Sequence, residues 1–198
     1  MNWTKTIAVA TFGFMAIAGA TQAYAQAAIA AMNAPGPEQQ SLVERAGSWD
    51  VVASFWPAAG TEPQIRRDLI AERVIIGSFL QETLRPVSGL GEAFTRIDYL
   101  GFDRVEGRWE YMSLDTRLPV GLMPAWSFER GNLERIEMQF EPLAFVGVGE
   151  TVSGQMMRAD MTIARDGSDR EVKEQRFIFA DGRSAPYVAV RYEYRRRR

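Results

Sequence analysis

From Gly47 onward the hydrophobic pattern comes in short runs. Stretches rich in Val, Ile, Phe, Tyr and Thr, alternating with polar positions, are separated by Gly, Pro, Asp and Asn. That punctuation belongs to β-strands. It predicts strands over Ser48–Trp56, Arg66–Val74, Phe79–Val87, Phe94–Phe102, Arg108–Thr116, Trp126–Glu129, Leu133–Phe140, Val152–Ala164, Glu171–Phe179 and Pro186–Arg195. Several turns are explicit: Glu106-Gly107, Gly131-Asn132, Asp166-Gly167 and Asp181-Gly182,. Ahead of the strands, Pro37 to Ala46 predicts one short helix. Pro37 suits a first turn, Glu38 complements the helix N-terminus, Gly47 can close the C-terminus, and Leu42, Val43 and Ala46 form an apolar face,. Consecutive short strands with tight connections point to a mainly β fold, a single antiparallel up-and-down β-barrel of about ten strands over residues 38–196, with a β-sandwich as the alternative. No internal repeat or second domain is visible.

The N-terminus changes the setting. Met1 to Lys5 is short and basic, Thr6 to Ala20 is uncharged and apolar, and Ala23-Tyr24-Ala25 follows. This is the layout of a cleavable secretory signal over residues 1–25, with cleavage expected before Gln26. The apolar stretch is too short to span a bilayer comfortably. Residues 26–37 then read as a flexible leader, and no transmembrane anchor is expected after cleavage. A periplasmic or secreted protein is the expectation.

Charge and composition mainly exclude. There are 23 basic and 25 acidic side chains, so no strong field recommends nucleic acid as a partner. There is no Cys, hence no disulfide, thiol nucleophile or thiolate metal site,. There is no His, which removes the usual general base, the Ser-His-Asp triad, the usual zinc sites and the common proximal haem ligand,. No metal site and no cofactor are expected.

Certain segments carry a family pattern. Gly47-Ser48-Trp49-Asp50-Val51 follows the short helix, then come Gly77-Ser78-Phe79-Leu80-Gln81-Glu82, Gly101-Phe102-Asp103, a strand ending Leu114-Asp115-Thr116, and a final Tyr192-Glu193-Tyr194-Arg195. This order resembles a bacterial exported family of domains of unknown function with a lipocalin-like (calycin-type) β-barrel. The chain departs from that pattern at Ser113, where a Trp is common, and at Arg96 and Asp98, where glycines are common. The resemblance implies the barrel and, loosely, small-ligand binding; the family has no established activity.

The hairpin Phe94–Thr116 holds the candidate chemistry. Pairing Asp103 with Arg108 across the turn sets Phe102 opposite Trp109, Leu100 opposite Tyr111, Asp98 opposite Ser113 and Arg96 opposite Asp115, all on one face,. The other face carries Thr95, Ile97, Tyr99, Met112 and Leu114. By default the apolar face points inward and the charges form a solvated cross-strand pair. If the mixed face points inward instead, Arg96, Asp98 and Asp115 become a buried cluster able to hold a polar ligand group or do acid–base work. On the segment Arg66–Val74, Arg66, Asp68, Ile70, Glu72 and Val74 share one face, expected outward, opposite Leu69, Ala71 and Arg73; Glu72 or Arg73 at the barrel mouth is the alternative. Met138, Met156, Met157 and Met161 fill core or adapt to ligands. The apolar loop Arg117–Trp126 is a lid or an end plug. The segment Phe145–Gly149 is a rim loop, and its glycines are not a phosphate loop. The tail Arg195–Arg198 is expected to be a solvated, frayed terminus.

Three functions follow. The first is a barrel holding a small apolar or amphipathic molecule through Arg96, Asp98, Trp109, Tyr111, Ser113, Asp115, Trp126 and Met138. The second is a lyase, isomerase or cyclase with Asp98 as base, Tyr111 as proton donor and Arg96 anchoring developing negative charge. The third is an envelope interaction protein without a ligand.

Overall fold

The computed structural model describes Gln22 and residues 24–31, 34–89, 93–118, 120–145 and 155–198. The chain divides into two compact units, Met1–Gly36 and Pro37–Arg198. In the first, residues 24–31 are helical, as an alanine-rich segment favours, where the composition suggested an irregular leader. No helix among the described residues is long and apolar enough to cross a membrane.

The second unit is a closed antiparallel barrel with up-and-down topology. Its strands are β1 (Gly47–Phe55), β2 (Gln64–Ile76), β3 (Phe79–Pro86), β4 (Arg96–Asp103), β5 (Arg108–Asp115), β6 (Met123–Trp126), β7 (Arg135–Phe140), β8 (Leu143–Phe145), β9 (Gln155–Asp166), β10 (Arg170–Phe179) and β11 (Tyr187–Arg196). Neighbours in sequence pair from β1 to β7, then β7 with β9, β9 with β10, β10 with β11, and β11 with β1 to close the ring. The short β8, absent from the sequence-based expectation, pairs with residues 155–157 of β9 just beyond the β7 pairing. It continues β7 as one stave, interrupted at Pro142, which has no N–H to give a ladder.

Local chemistry explains the joints. A two-residue turn, Gly77-Ser78, links β2 to β3, and Gly77 supplies the positive φ of 60° that such a hairpin needs,. Between β4 and β5, the Asp103 carboxylate accepts the Val105 and Glu106 N–H groups and Gly107 adopts φ 71°,. The predicted strand Trp126–Glu129 lies instead at Met123–Trp126. It ends where Ser127 takes over: its N–H donates to the Trp109 carbonyl while its Oγ accepts the Trp109 N–H.

The helix Pro37–Arg45 closes one end of the barrel. Leu42 joins a core cluster with Leu80, Leu100, Phe102, Trp109 and Ile136. The carbonyls at its C-terminal end are satisfied by side chains: the nearby Trp49 Nε1 donates to Arg45, and Arg196, from the far end of the chain, donates to Glu44 and Ala46,. The C-terminal arginines are therefore not a frayed tail. Arg196 also stacks on Trp49, Arg197 pairs with Asp50, and Arg198 with Asp169.

Candidate functional site

The register of β4 against β5 is the one expected, from Arg96 opposite Asp115 to Asp103 opposite Arg108. The face is the reverse of the default. Arg96, Asp98, Leu100, Phe102, Trp109, Tyr111, Ser113 and Asp115 are all buried, while Tyr99 and Leu114 stand outside. The physical reason is twofold. The mixed face carries the larger apolar groups, Leu100, Phe102, Trp109 and Tyr111, whose burial is most favourable. Its charges also find partners on two other strands, Glu82 on β3 and Lys173 on β10.

Those partners make a continuous ion-pair ladder through the barrel. Arg96 Nη2 on β4 lies 2.9 Å from Asp98 and 3.3 Å from Glu82 on β3. Lys173 Nζ on β10 reaches Asp98 at 2.8 Å and Glu82 at 3.1 Å. Arg73 on β2 donates Nε to Glu82 at 2.7 Å and Nη2 to Glu171 at 2.8 Å. Glu171 finally takes Arg45 of the helix, whose Nη2 also donates to the Leu133 carbonyl. Tyr194 donates its hydroxyl to Glu82 and Ser113 to Asp98. Arg73 lies over the rings of both Trp49 and Tyr194, and Arg96 lies over Tyr192,.

The electrostatics follow from this pairing. Burial works against the charge on Glu82, yet Lys173, Arg73 and Arg96 outweigh it and hold the carboxyl far below its ordinary range. Burial likewise opposes Lys173, but Asp98 and Glu82 raise its pKa well above normal. Tyr111 and Tyr194 are pushed up chiefly by burial, so both keep their protons. Glu171 is likewise held low by Arg73 and Arg45, and Arg73 and Arg96 are held high by their carboxylate neighbours, all against the opposition of burial.

At the end opposite the helix the barrel is not filled. A cavity of about 340 Å³ opens there. Met123, Phe140, Leu143, Met157, Phe177 and Val190 give it apolar walls; Arg66, Arg96, Ser113, Asp115, Arg117, Gln175 and Tyr192 supply the polar surface. Arg117 grips Asp115 through Nε at 2.9 Å and Nη2 at 2.5 Å, and it lies over Phe94. Arg66 makes a similar fork to Asp68, at 3.1 and 2.7 Å. Its presence in the cavity corrects the strict alternation expected for this strand. A β-bulge lets Val51 face Leu69 and Ala53 face Arg66, so one extra β2 residue turns Arg66 inward,. Arg73 is inside the barrel as well, whereas Glu72 accepts a hydrogen bond from Ser48.

The sequence-predicted residues thus divide. Arg96, Ser113 and Asp115 line the cavity. Asp98 and Tyr111 sit beside it in the ladder, around a void of about 10 Å³. Trp109 and Met138 belong to the core nearer the helix; Trp109 Nε1 donates to the Arg130 carbonyl. Trp126 lies on the outer surface, in a shallow depression with Phe79 and Tyr99. Of the methionines, Met138, Met157 and Met161 are buried and Met157 lines the cavity, while Met156 is exposed. Of the apolar loop, Arg117, Leu118 and Met123 form cavity wall, and Leu122 is exposed. The segment Phe145–Gly149 lies, apart from the backbone of Phe145, outside the described residues. Missed by the sequence were Arg66, Arg117, Gln175 and Tyr192. Period-two alternation through Lys173, Gln175 and Phe177 places Gln175 on the inner face, but no local signal marks the bulge at Arg66.

Fold and site together define a closed antiparallel barrel with an internal ionic ladder and an open-ended cavity. No family model matches the chain, and no curated protein matches it. Among solved structures it is similar to the crystal structure of Rv2717c from M. tuberculosis, with a TM-score of 0.53 and 17% identity, over 83% of this chain and 100% of that one. That likeness is one of fold.

Proposed function

We propose that this protein is an exported binding protein that holds one small amphipathic molecule in the end cavity of its barrel. The observation that carries the reading is the cavity itself. A barrel serving only as structure would pack its interior to native density, yet here about 340 Å³ remains beside a polar edge. This lies at the small end of the ~300–1,000 Å³ of small-molecule sites, and apolar walls with a few placed polar groups are their usual make-up. The acid–base alternative keeps Arg96 at the cavity but leaves Asp98 and Tyr111 beneath its floor, so the binding reading is preferred. Native mass spectrometry of protein purified from its own envelope fraction or medium tests it. A bound small molecule, lost on denaturation, is the expected result. An apo mass under gentle conditions, with no displacement of a polarity-sensitive dye, would overturn it.

A further inference from the structure

The ladder does not balance. Arg45, Arg73, Arg96 and Lys173 share only Glu82, Asp98 and Glu171. The remaining charges at the cavity, Arg66 with Asp68 and Arg117 with Asp115, cancel as pairs. One positive charge is therefore in surplus in a region of low dielectric, where an uncompensated charge is costly.

The place of that surplus is informative. Of the four ladder cations only Arg96 lines the cavity. It is 4% exposed, and both its carboxylate contacts are made through Nη2. Its Nε has no hydrogen-bond partner; the same is true of Arg45 Nε and Arg73 Nη1, but of these three arginines only Arg96 borders the cavity. The guanidinium thus has donor capacity outside the ion-pair network. Beside it, at the cavity rim, Arg117 forks onto one carboxylate, Asp115, and has Tyr192 as a further hydrogen-bond partner.

From this geometry we infer that the ligand is a single-chain amphiphile with one carboxylate head, its carboxylate seated against Arg96 and Arg117 and its chain along Met123, Phe140, Met157 and Phe177. This rests on the binding function proposed above. A carboxylate matches the planar guanidinium fork. One negative charge restores neutrality, a neutral head leaves the surplus unanswered, and a cationic head adds to it. A two-chain lipid exceeds the volume available.

Titration calorimetry of the purified protein with decanoate, decanol and decyltrimethylammonium tests this, because the three share a chain and differ in head charge. Decanoate should bind about tenfold tighter than decanol, the order of one charge-assisted pair, with decyltrimethylammonium weakest. Asp115→Asn frees Arg117 and should tighten decanoate while leaving decanol unchanged. Arg96→Met should bring decanoate down to the decanol level; if that variant does not fold, Arg117→Met should weaken decanoate selectively. Equal binding of decanoate and decanol would overturn the carboxylate inference and leave the amphiphile reading standing. Binding of none of the three would overturn both.

Discussion

Glu82 is the junction of the ladder, and its neutralisation gives the sharpest test of the structure. Its carboxylate accepts from Arg73 at 2.7 Å, Tyr194 at 2.9 Å, Lys173 at 3.1 Å and Arg96 at 3.3 Å. All of these partners are buried. Glu82→Gln keeps the shape and removes the charge. The amide oxygen can satisfy one side only, so its NH₂ must face either the Arg73 Nε–H or the donors of Arg96, Lys173 and Tyr194. Four cations would then share two carboxylates. Breaking a buried ion pair from one side costs about 3–5 kcal/mol, a large part of the ~5–15 kcal/mol that stabilises a domain. With a urea slope of ~2 kcal/mol/M, the denaturation midpoint should fall by roughly 2 M. Asp169→Asn, at an exposed pair with Arg198, is the control and should leave the midpoint where it is. A Glu82→Gln midpoint within about 0.5 M of the parent, at unchanged slope, would refute a buried, mutually dependent ladder.

Other consequences are measurable. Glu82 and Glu171 have pKa values held below the ordinary 4.5 by their cationic neighbours against the opposition of burial. Their contribution is therefore present above pH 4.5 and lost as pH falls toward the lower folded values. Lys173 is raised above its ordinary 10.5, so its contribution is present below pH 10.5 and lost only as pH rises toward the higher folded value. Chemical denaturation across pH should show a neutral plateau with an acid limb, and Glu82→Gln should approach the parent's stability on that limb; a constant gap down to strong acid would contradict the assignment. At Gly101 an added Cβ would meet the Phe79 ring at 2.4 Å on the outer face. Gly101→Ala should thus cost about 1–3 kcal/mol, and Phe79→Ala in the same chain should recover most of it; additive effects in the double-mutant cycle would exclude the clash. If the expected export signal is used, intact-mass analysis of protein recovered from the envelope fraction or medium should give a chain beginning at Gln26, and a species there retaining Met1 would rule out the proposed cleavage.

The mainly β, up-and-down barrel was legible because strand alternation and glycine turns act over a few residues, as at Gly77-Ser78 and Asp103–Gly107. The same locality fixed the β4–β5 register, so the sequence already placed Arg96, Asp98, Ser113 and Asp115 on one face. These include Arg96, Asp98 and Ser113, the positions where the chain departs from the pattern it resembles; in space Ser113 donates to Asp98, which pairs with Arg96. The direction that face points was not legible. A hairpin with apolar groups on both sides satisfies either choice alone, and the decision falls to Glu82, Arg73, Glu171 and Lys173, which come from β3, β2 and β10. Only closure of the barrel brings them within hydrogen-bond distance. The bulge that turns Arg66 inward and the unfilled end beside Arg96 are likewise tertiary facts. Sequence determined which side chains share a face, since that depends on backbone periodicity; the tertiary structure decided which faces meet, since buried charge is tolerated only where its counter-charges converge.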